Sequence, residues 1–220
     1  MLLRGVSMAK EIKSLIEGYK KFKQHYFEQS NPLFNQLAQG QKPDTLVIGC
    51  CDSRVDPAIV TNCQPGELFV VRNVANLVPP YEEDNSYHGT SAALEFAVRT
   101  LGVKHIIVFG HAQCGGIMSL FQKTEQSSVA KKSFVSKWME LAQPAYDAVN
   151  KQAHGLPLEE QIMLCCQNSI VNSLRNLRTF PWIRDAENKG DLQLHGWYFD
   201  LLTGIIKSFD ANKNAFVELE

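Results

Sequence analysis

The sequence lacks a long uninterrupted apolar stretch and has almost no excess of charge of either sign. No apolar run approaches the roughly 20 residues that a membrane-spanning helix needs, so we expect no membrane partner. The formal net charge of the 220-residue chain is −1, which gives no electrostatic case for binding nucleic acid. Residues 1–10 lack the apolar core of a secretory signal peptide, and we therefore expect a cytoplasmic protein.

Cysteine is present six times, but no Cys-x-x-Cys motif occurs, which weakens the case for thiol redox catalysis. Cys50 and Cys51 are neighbours, as are Cys165 and Cys166, and adjacent cysteines rarely bond each other because a disulfide needs wider Cα separation. The expected fates are metal ligation, catalysis or burial. Alternation along a strand would turn Cys51 away from Cys50. We expect Cys51, Cys63, Cys165 and Cys166 to be core residues.

Apolar runs alternate with amphipathic segments along the chain. Strands are predicted at residues 45–50, 67–72 and 105–110, and the alternating segments 192–200 and 205–210 predict a closing hairpin. Helices are predicted at residues 10–29, 32–37, 57–62, 89–101, 114–123, 131–150 and 157–179. Strands separated by helices predict an α/β fold: a mostly parallel central sheet flanked by helices, with an antiparallel edge strand and an N-terminal helical arm.

The length suits a single globular domain. Within it we distinguish an N-terminal helical arm at residues 1–40, an α/β core at residues 45–125, and C-terminal helices with the closing hairpin at residues 126–220. The first helix carries apolar residues at helical spacing, and it either packs on its own core or covers a partner subunit.

Two of the apolar strands end in residues that bind soft metals. The first strand ends at Cys50 and continues into a Cys-x-Asp-x-Arg turn, and the third ends in His111-Ala112-Gln113-Cys114. Parallel strands bring such ends to one rim of a sheet, where α/β proteins place ligands. Zinc takes about four ligands from thiolate, imidazole and carboxylate groups. Cys50, His111 and Cys114 are therefore predicted to hold Zn²⁺.

The fourth position separates a structural site, which is closed, from a catalytic site, which is open. Asp52 is the nearby candidate to close it, and Arg54 can grip that carboxylate through two parallel hydrogen bonds. If Arg54 holds Asp52, water can enter; if the pair breaks, Asp52 closes the site. Two thiolates should acidify a bound water less than an all-histidine site would, which predicts activity that rises above neutral pH.

At these residues the chain resembles the β-class carbonic anhydrases, and its extended segment at residues 71–81 resembles the plant-type branch. The resemblance spans nearly the whole chain. It is carried by Gly49-Cys50-Cys51-Asp52-Ser53-Arg54, by residues 65–76 (PGELFVVRNVAN), by residues 110–117 (GHAQCGGI), and by the segments 176–181 (NLRTFP) and 196–200 (GWYFD).

The resemblance implies reversible hydration of CO2 to bicarbonate and a proton at a zinc centre, with Asp52 and Arg54 as a gating dyad. It also implies that Gln41 donates to substrate across a dimer interface, in a homodimer or a tetramer of dimers. A pocket for CO2 would be lined by Phe69, Val74 and Phe96.

Two other functions stay open for the same residues. One is hydrolysis of carbonyl sulfide or carbon disulfide on the same scaffold, and the other is a non-catalytic structural zinc protein in which Asp52 closes the site permanently. Another branch of the family uses a tryptophan at the position of Val47 in an inhibitory bicarbonate site. Because the tryptophan is missing here, we expect the open type.

Overall fold

The structure is a computed structural model that describes residues 10–28, 32–84, 86–122 and 133–219. The chain forms two compact units, Met1–Gln41 and Lys42–Glu220. The first nearly coincides with the N-terminal arm predicted at residues 1–40. The predicted boundary at residues 125/126 lies outside the described residues, as do parts of the helices predicted at 10–29, 114–123 and 131–150.

The first unit consists of two helices joined by a tight aromatic cluster. Helix α1 (Lys10–Lys23) runs into a π-helical turn, Gln24–Glu28, and α2 covers Leu33–Leu37. The rings of Phe22, Tyr26, Phe27 and Phe34 contact one another with centroid distances between 4.8 and 6.2 Å. No side chain of α1 is buried, and Ile12, Leu15 and Tyr19 are exposed, Leu15 by 70%.

The second unit is built on a six-stranded sheet with the order β2-β1-β3-β4-β5-β6. The first four strands in that order are parallel, and β5 and β6 are antiparallel to their neighbours. This confirms the mostly parallel sheet and the closing hairpin, and it adds a sixth strand beyond them. The strands are β1 Thr45–Cys50, β2 Leu68–Asn73, β3 His105–His111, β4 Gln193–Phe199, β5 Ile206–Asp210 and β6 Ala215–Glu218.

The helices of this unit flank the sheet, and along the chain they lie in the segments that connect β1, β2, β3 and β4. They are α3 Pro57–Val60, α4 Gly89–Glu95 with a π-helical continuation Phe96–Leu101, α5 Gly115–Ser119, α6 Phe134–Met139, α7 Gln143–Gln152, α8 Leu158–Leu177 and α9 Pro181–Lys189. Helix α8 packs closely on β3 and β4, because a Cβ added at Gly110 or Gly196 would lie 2.8 Å from Ile170. No helix of the described residues is long and apolar enough to cross a membrane.

Alternation along the strands divides the core into two clusters. Leu46, Ile48, Ile106 and Val108 belong to the large one, which the helices complete. The small cluster on the other side has Val47, Ile107 and Phe109 as its buried members, and α3 adds Val60 at its margin.

Several predicted helix bounds were wrong. The helix predicted at residues 131–150 is interrupted between α6 and α7, where Pro144 lacks the N–H that a continuous helix needs. The helix predicted from Pro57 to Asn62 ends at Val60, since Asn62 has a left-handed φ of 53°. Helix α9 was not predicted, although it starts with Pro181 and is followed by left-handed Gly190.

Candidate metal centre

The three predicted metal ligands lie at the carboxyl ends of two neighbouring strands. β1 and β3 are paired in parallel, with Gly49 opposite Phe109, so that Cys50 and His111 emerge at the same rim. Cys114 follows three residues after His111, immediately before α5. The ligand atoms of the three side chains all lie within 4.8 Å of one another. Residues 64 positions apart in sequence therefore form one buried cluster.

The histidine of the cluster is oriented as a ligand. Its Nδ1 lies 2.7 Å from the carbonyl oxygen of Ala112, so Nδ1 carries the hydrogen and donates it. The other nitrogen, Nε2, is buried and has no hydrogen-bond partner. A backbone acceptor that fixes the tautomer is the usual arrangement around a metal-binding imidazole. The orphaned nitrogen of His111 beside two thiols fits a soft divalent cation.

The thiols of Cys50 and Cys114 are joined by one weak S–H···S hydrogen bond. Their sulfur atoms are 4.0 Å apart. The hydrogen bond from the Cys114 thiol lowers the pKa of Cys50, and the adjacent Cys50 sulfur, together with burial, raises the pKa of Cys114. A divalent cation would take the place of this proton and stabilise both sulfurs as thiolates.

Asp52 and Arg54 form the pair that the sequence predicted. The guanidinium donates from Nε to Oδ1 at 2.9 Å and from the terminal NH2 group to Oδ2 at 2.7 Å, a bidentate arrangement. The same NH2 group also donates to the carbonyl of Gln113 at 3.2 Å. These bonds hold the pKa of Asp52 well below its ordinary value. The carboxylate is therefore ionised and turned towards Arg54.

The carboxylate of Asp52 also borders the cluster. Its Oδ2 is 3.9 Å from Nε2 of His111, which is close enough for a modest rotation to bring it to a shared metal. A cavity of about 580 Å³ opens beside the pair and is bordered by Asp52, Arg54 and Met118. The Asp52 carboxylate thus lies between the guanidinium of Arg54 and Nε2 of His111. The role of the pair as a gate stays a prediction.

Arg72 and Asp56 form a second ion pair at the same turn, and their contacts were not predicted from the sequence. Arg72 donates to the carbonyl oxygens of Cys50 at 2.8 Å and Asp52 at 2.7 Å, and to the Asp56 carboxylate at 2.7 Å. The other oxygen of Asp56 accepts from the backbone of α3 and caps that helix. The signal available in the sequence was the Asp56-Pro57 helix start, and it did not point to Arg72.

The predicted pocket residues fall into two places. Phe69 and Phe96 contact each other, with ring centroids 5.8 Å apart. Val74 lies against α5, the helix that directly follows Cys114, because a Cβ added at Gly116 would be 3.1 Å from Cγ1 of Val74. Trp138 fixes this segment by donating to the Val74 carbonyl at 2.8 Å. Whether the three residues hold CO2 stays a prediction.

Gln41 is exposed and is the last residue of the first compact unit. Its predicted contact crosses a subunit interface and stays a prediction.

The remaining cysteines correct part of the sequence analysis. Cys51 is exposed rather than part of the core, because β1 ends at Cys50 and the chain turns there. Cys63 is only half-buried. Cys165 and Cys166 are buried as predicted, and burial raises the pKa of each thiol to about 12.

Comparison with known proteins gives a consistent result. The family model described as carbonic anhydrase matches residues 45–206. The chain is 35% identical over 193 residues to Beta carbonic anhydrase 3 of Arabidopsis thaliana, covering 88% of this chain and 74% of that protein. It is 37% identical over 203 residues to a carbonic anhydrase of Synechocystis sp., covering 92% of this chain and 73% of that protein.

Solved structures agree with the sequence matches. The β-carbonic anhydrase CcaA superposes with a TM-score of 0.87 at 36% identity, covering 96% of this chain and all of that one. One of the two tetrameric β-carbonic anhydrases of Sordaria macrospora superposes with a TM-score of 0.82 at 27% identity, covering 92% of this chain and 98% of that one.

Proposed function

The chain belongs to the β-class carbonic anhydrases, and from this premise we propose that it hydrates CO2 reversibly to bicarbonate and a proton at a zinc centre. The observation that carries the proposal is the buried cluster of Cys50, His111 and Cys114, with the Asp52–Arg54 pair at its border. When bound, Zn²⁺ lowers the pKa of a coordinated water towards neutrality and so supplies the nucleophile.

The ligand set supports zinc among the divalent metals. Two sulfurs and one imidazole nitrogen are soft and borderline donors, which zinc prefers, whereas magnesium and calcium take oxygen ligands. The charges also balance, since two thiolates and a neutral imidazole cancel the charge of Zn²⁺. Three protein ligands leave one position for chemistry.

Asp52 and Arg54 would keep that position available. The bidentate grip of Arg54 draws the carboxylate away from the ligand nitrogen of His111. An ionised Asp52 remains near enough to accept a hydrogen bond from a group at the open position. A purely structural site needs neither the guanidinium nor the adjoining cavity, and this argues against the non-catalytic alternative.

The substrate would be bound mainly by apolar contact, because CO2 has no charge. Phe69, Val74 and Phe96 are proposed to line its pocket, and Gln41 of a partner subunit is proposed to orient an oxygen as charge develops. This role for Gln41 requires a homodimer or a tetramer of dimers, and the tetrameric relatives support such an assembly. A cytoplasmic location stays a prediction from the sequence.

Stopped-flow CO2 hydration combined with zinc quantification tests the proposal. Cys50→Ser should lose zinc and activity together, because one of three ligand atoms is replaced by a poor one. Cys51→Ser is the matched control, since this neighbouring thiol is exposed and lies outside the cluster. Full zinc occupancy in Cys50→Ser, or a metal-free wild-type protein that is fully active, would overturn the proposal. Assaying the same preparation with carbonyl sulfide tests the alternative substrate.

A further inference from the structure

The main chain of the turn from Cys50 to Asp52 accepts two hydrogen bonds from the side chain of Arg72. Arg72 lies on β2 directly opposite Gly49 of β1, and three of its nitrogens are engaged. Nε donates to the Cys50 carbonyl, one terminal group donates to the Asp52 carbonyl, and the other donates to the Asp56 carboxylate. The Arg72 side chain is largely covered, at 27% exposure.

Asp56 fixes the guanidinium in this position. Its Oδ2 accepts from Arg72 at 2.7 Å, while its Oδ1 accepts from the backbone N–H of Ala58 at 3.0 Å at the start of α3. The carboxylate is thereby anchored by the helix. A fixed carboxylate limits the conformations of the arginine and reduces the loss of side-chain entropy when its other bonds form.

The two peptide carbonyls that Arg72 binds belong to Cys50 and Asp52, the two residues of this turn whose side chains lie at the metal cluster. With these carbonyls held on one side, the thiol of Cys50 faces Cys114 and the carboxylate of Asp52 faces Arg54. Gly49 leaves room for Pro57 at the start of α3, because an added Cβ would lie 3.2 Å from Cγ of Pro57, whereas its distance of 3.8 Å from Cγ of Arg72 would be an ordinary contact.

We propose that Arg72, anchored by Asp56, is a positioning residue that sets the orientation of the Cys50–Asp52 turn towards the metal. The inference rests on the proposed zinc function of the cluster. Arg72 touches neither the three ligand atoms nor the proposed CO2 pocket through any of these three bonds, so it acts through the main chain.

Zinc release from the purified holoenzyme to a chromogenic chelator tests this proposal. Arg72→Lys keeps the charge but replaces the planar fork with one ammonium, which cannot reach all three acceptors in the same geometry. We expect zinc release at least about tenfold faster than in the wild type, in line with the effect of residues that orient metal ligands. We also expect kcat to fall while KM changes little, since the substrate pocket is not altered.

Two further variants make the outcome specific. Asp56→Asn keeps an oxygen that can cap α3 but loses the ion pair, and should speed zinc release in the same direction by a smaller factor. Arg178→Lys is the matched control, because Arg178 makes a bidentate pair with Glu187 at 2.8 and 2.7 Å in another part of the fold. It should release zinc at the wild-type rate. Asp56→Asn carries the test if Arg72→Lys does not fold.

The inference is overturned if folded Arg72→Lys and Asp56→Asn both release zinc at the wild-type rate, or if Arg178→Lys releases it equally fast. Zinc release is measured without CO2. A wild-type protein that holds zinc but does not hydrate CO2 would therefore refute the proposed reaction, while the comparison of variants would still decide the role of Arg72.

Discussion

Replacing Gly116 with alanine tests how closely α5, the helix that follows the ligand Cys114, packs against Val74 and Ala75. In Gly116→Ala the new Cβ would lie 3.1 Å from the Cβ of Ala75, 3.1 Å from Cγ1 of Val74 and 3.2 Å from the sulfur of Met139. Carbon atoms prefer separations of about 3.5–4.0 Å. The thioether of Met139 can move aside, but Ala75 is buried and its backbone is held at a left-handed φ of 63°. Val74 must therefore move.

The magnitude follows from a comparison with the preceding residue. Overpacking of this kind costs about 1–3 kcal/mol, whereas a glycine-to-alanine change at a compatible backbone position stabilises by about 0.4–1 kcal/mol through the unfolded chain. Gly115→Ala has only the second effect, because its Cβ would meet nothing within 4 Å. Subtracting one variant from the other leaves about 2 kcal/mol of steric cost, or roughly 4–8 °C in Tm for a chain of this size.

The assay is thermal unfolding of both variants at equal protein concentration and equal zinc content. CO2 hydration by Gly116→Ala should also fall relative to wild type, because Val74 is displaced from the proposed pocket. A Gly116→Ala variant that unfolds at or above the temperature of Gly115→Ala would contradict the predicted steric cost. Unchanged activity of Gly116→Ala together with reduced stability would show that Val74 has no part in substrate binding.

Three further outcomes are expected. Arg54→Met removes both side-chain hydrogen bonds to Asp52 and should lower the rate of CO2 hydration. The zinc content, measured by metal analysis, should stay at the wild-type level, and a loss of zinc would contradict the gating role. Burial raises the pKa of Cys165 and Cys166 to about 12 from the ordinary value of 9.0. Above pH 9 these thiols lose protons more readily in the unfolded chain, so the free energy of unfolding should fall as pH rises from about 9 to 12. A urea midpoint that does not change over that range would contradict this prediction. Burial, and then the nearby His105, lower the pKa of His195 from its ordinary value of 6.5. Below pH 6.5 the unfolded chain therefore binds a proton at this residue more readily than the folded chain, and the free energy of unfolding should fall with pH. His195→Gln should reduce this dependence on pH in urea titrations.

The sequence predicted the strands of the metal centre well because their signal is local. β1 was predicted at its observed bounds, and β3 is longer than predicted by one residue, His111. Both are apolar runs interrupted by few polar residues, as expected for strands covered on both faces. Once the strands were identified, parallel pairing brought Cys50 and His111 to one rim.

The features that escaped prediction depend on contacts between distant segments or on where a strand stops. Arg72 reaches the turn only because β2 pairs with β1 in a register that sets it opposite Gly49, and no local pattern specifies that register. Cys51 was assigned to the core by extending the strand alternation one residue too far. The chain turns after Cys50, and the next side chain faces solvent.

Short elements near the C-terminus were missed for a different reason. β6 has four residues, Ala215–Glu218, and is stabilised by pairing with β5, so its own sequence carries little periodicity. Helix α9 had clear local signals in Pro181 and Gly190, which the sequence analysis left unused.

The distribution of the ligands along the chain has a consequence for biosynthesis. Cys50 leaves the ribosome long before Cys114, which follows it by 64 positions and must be made before the two sulfurs can meet. Until β3 docks beside β1, the nascent polypeptide can offer a cation isolated donors but no complete chelate. Loading is therefore expected late in folding, and the bound ion then stabilises the folded chain at equilibrium, because it closes a large loop and binds only the folded state.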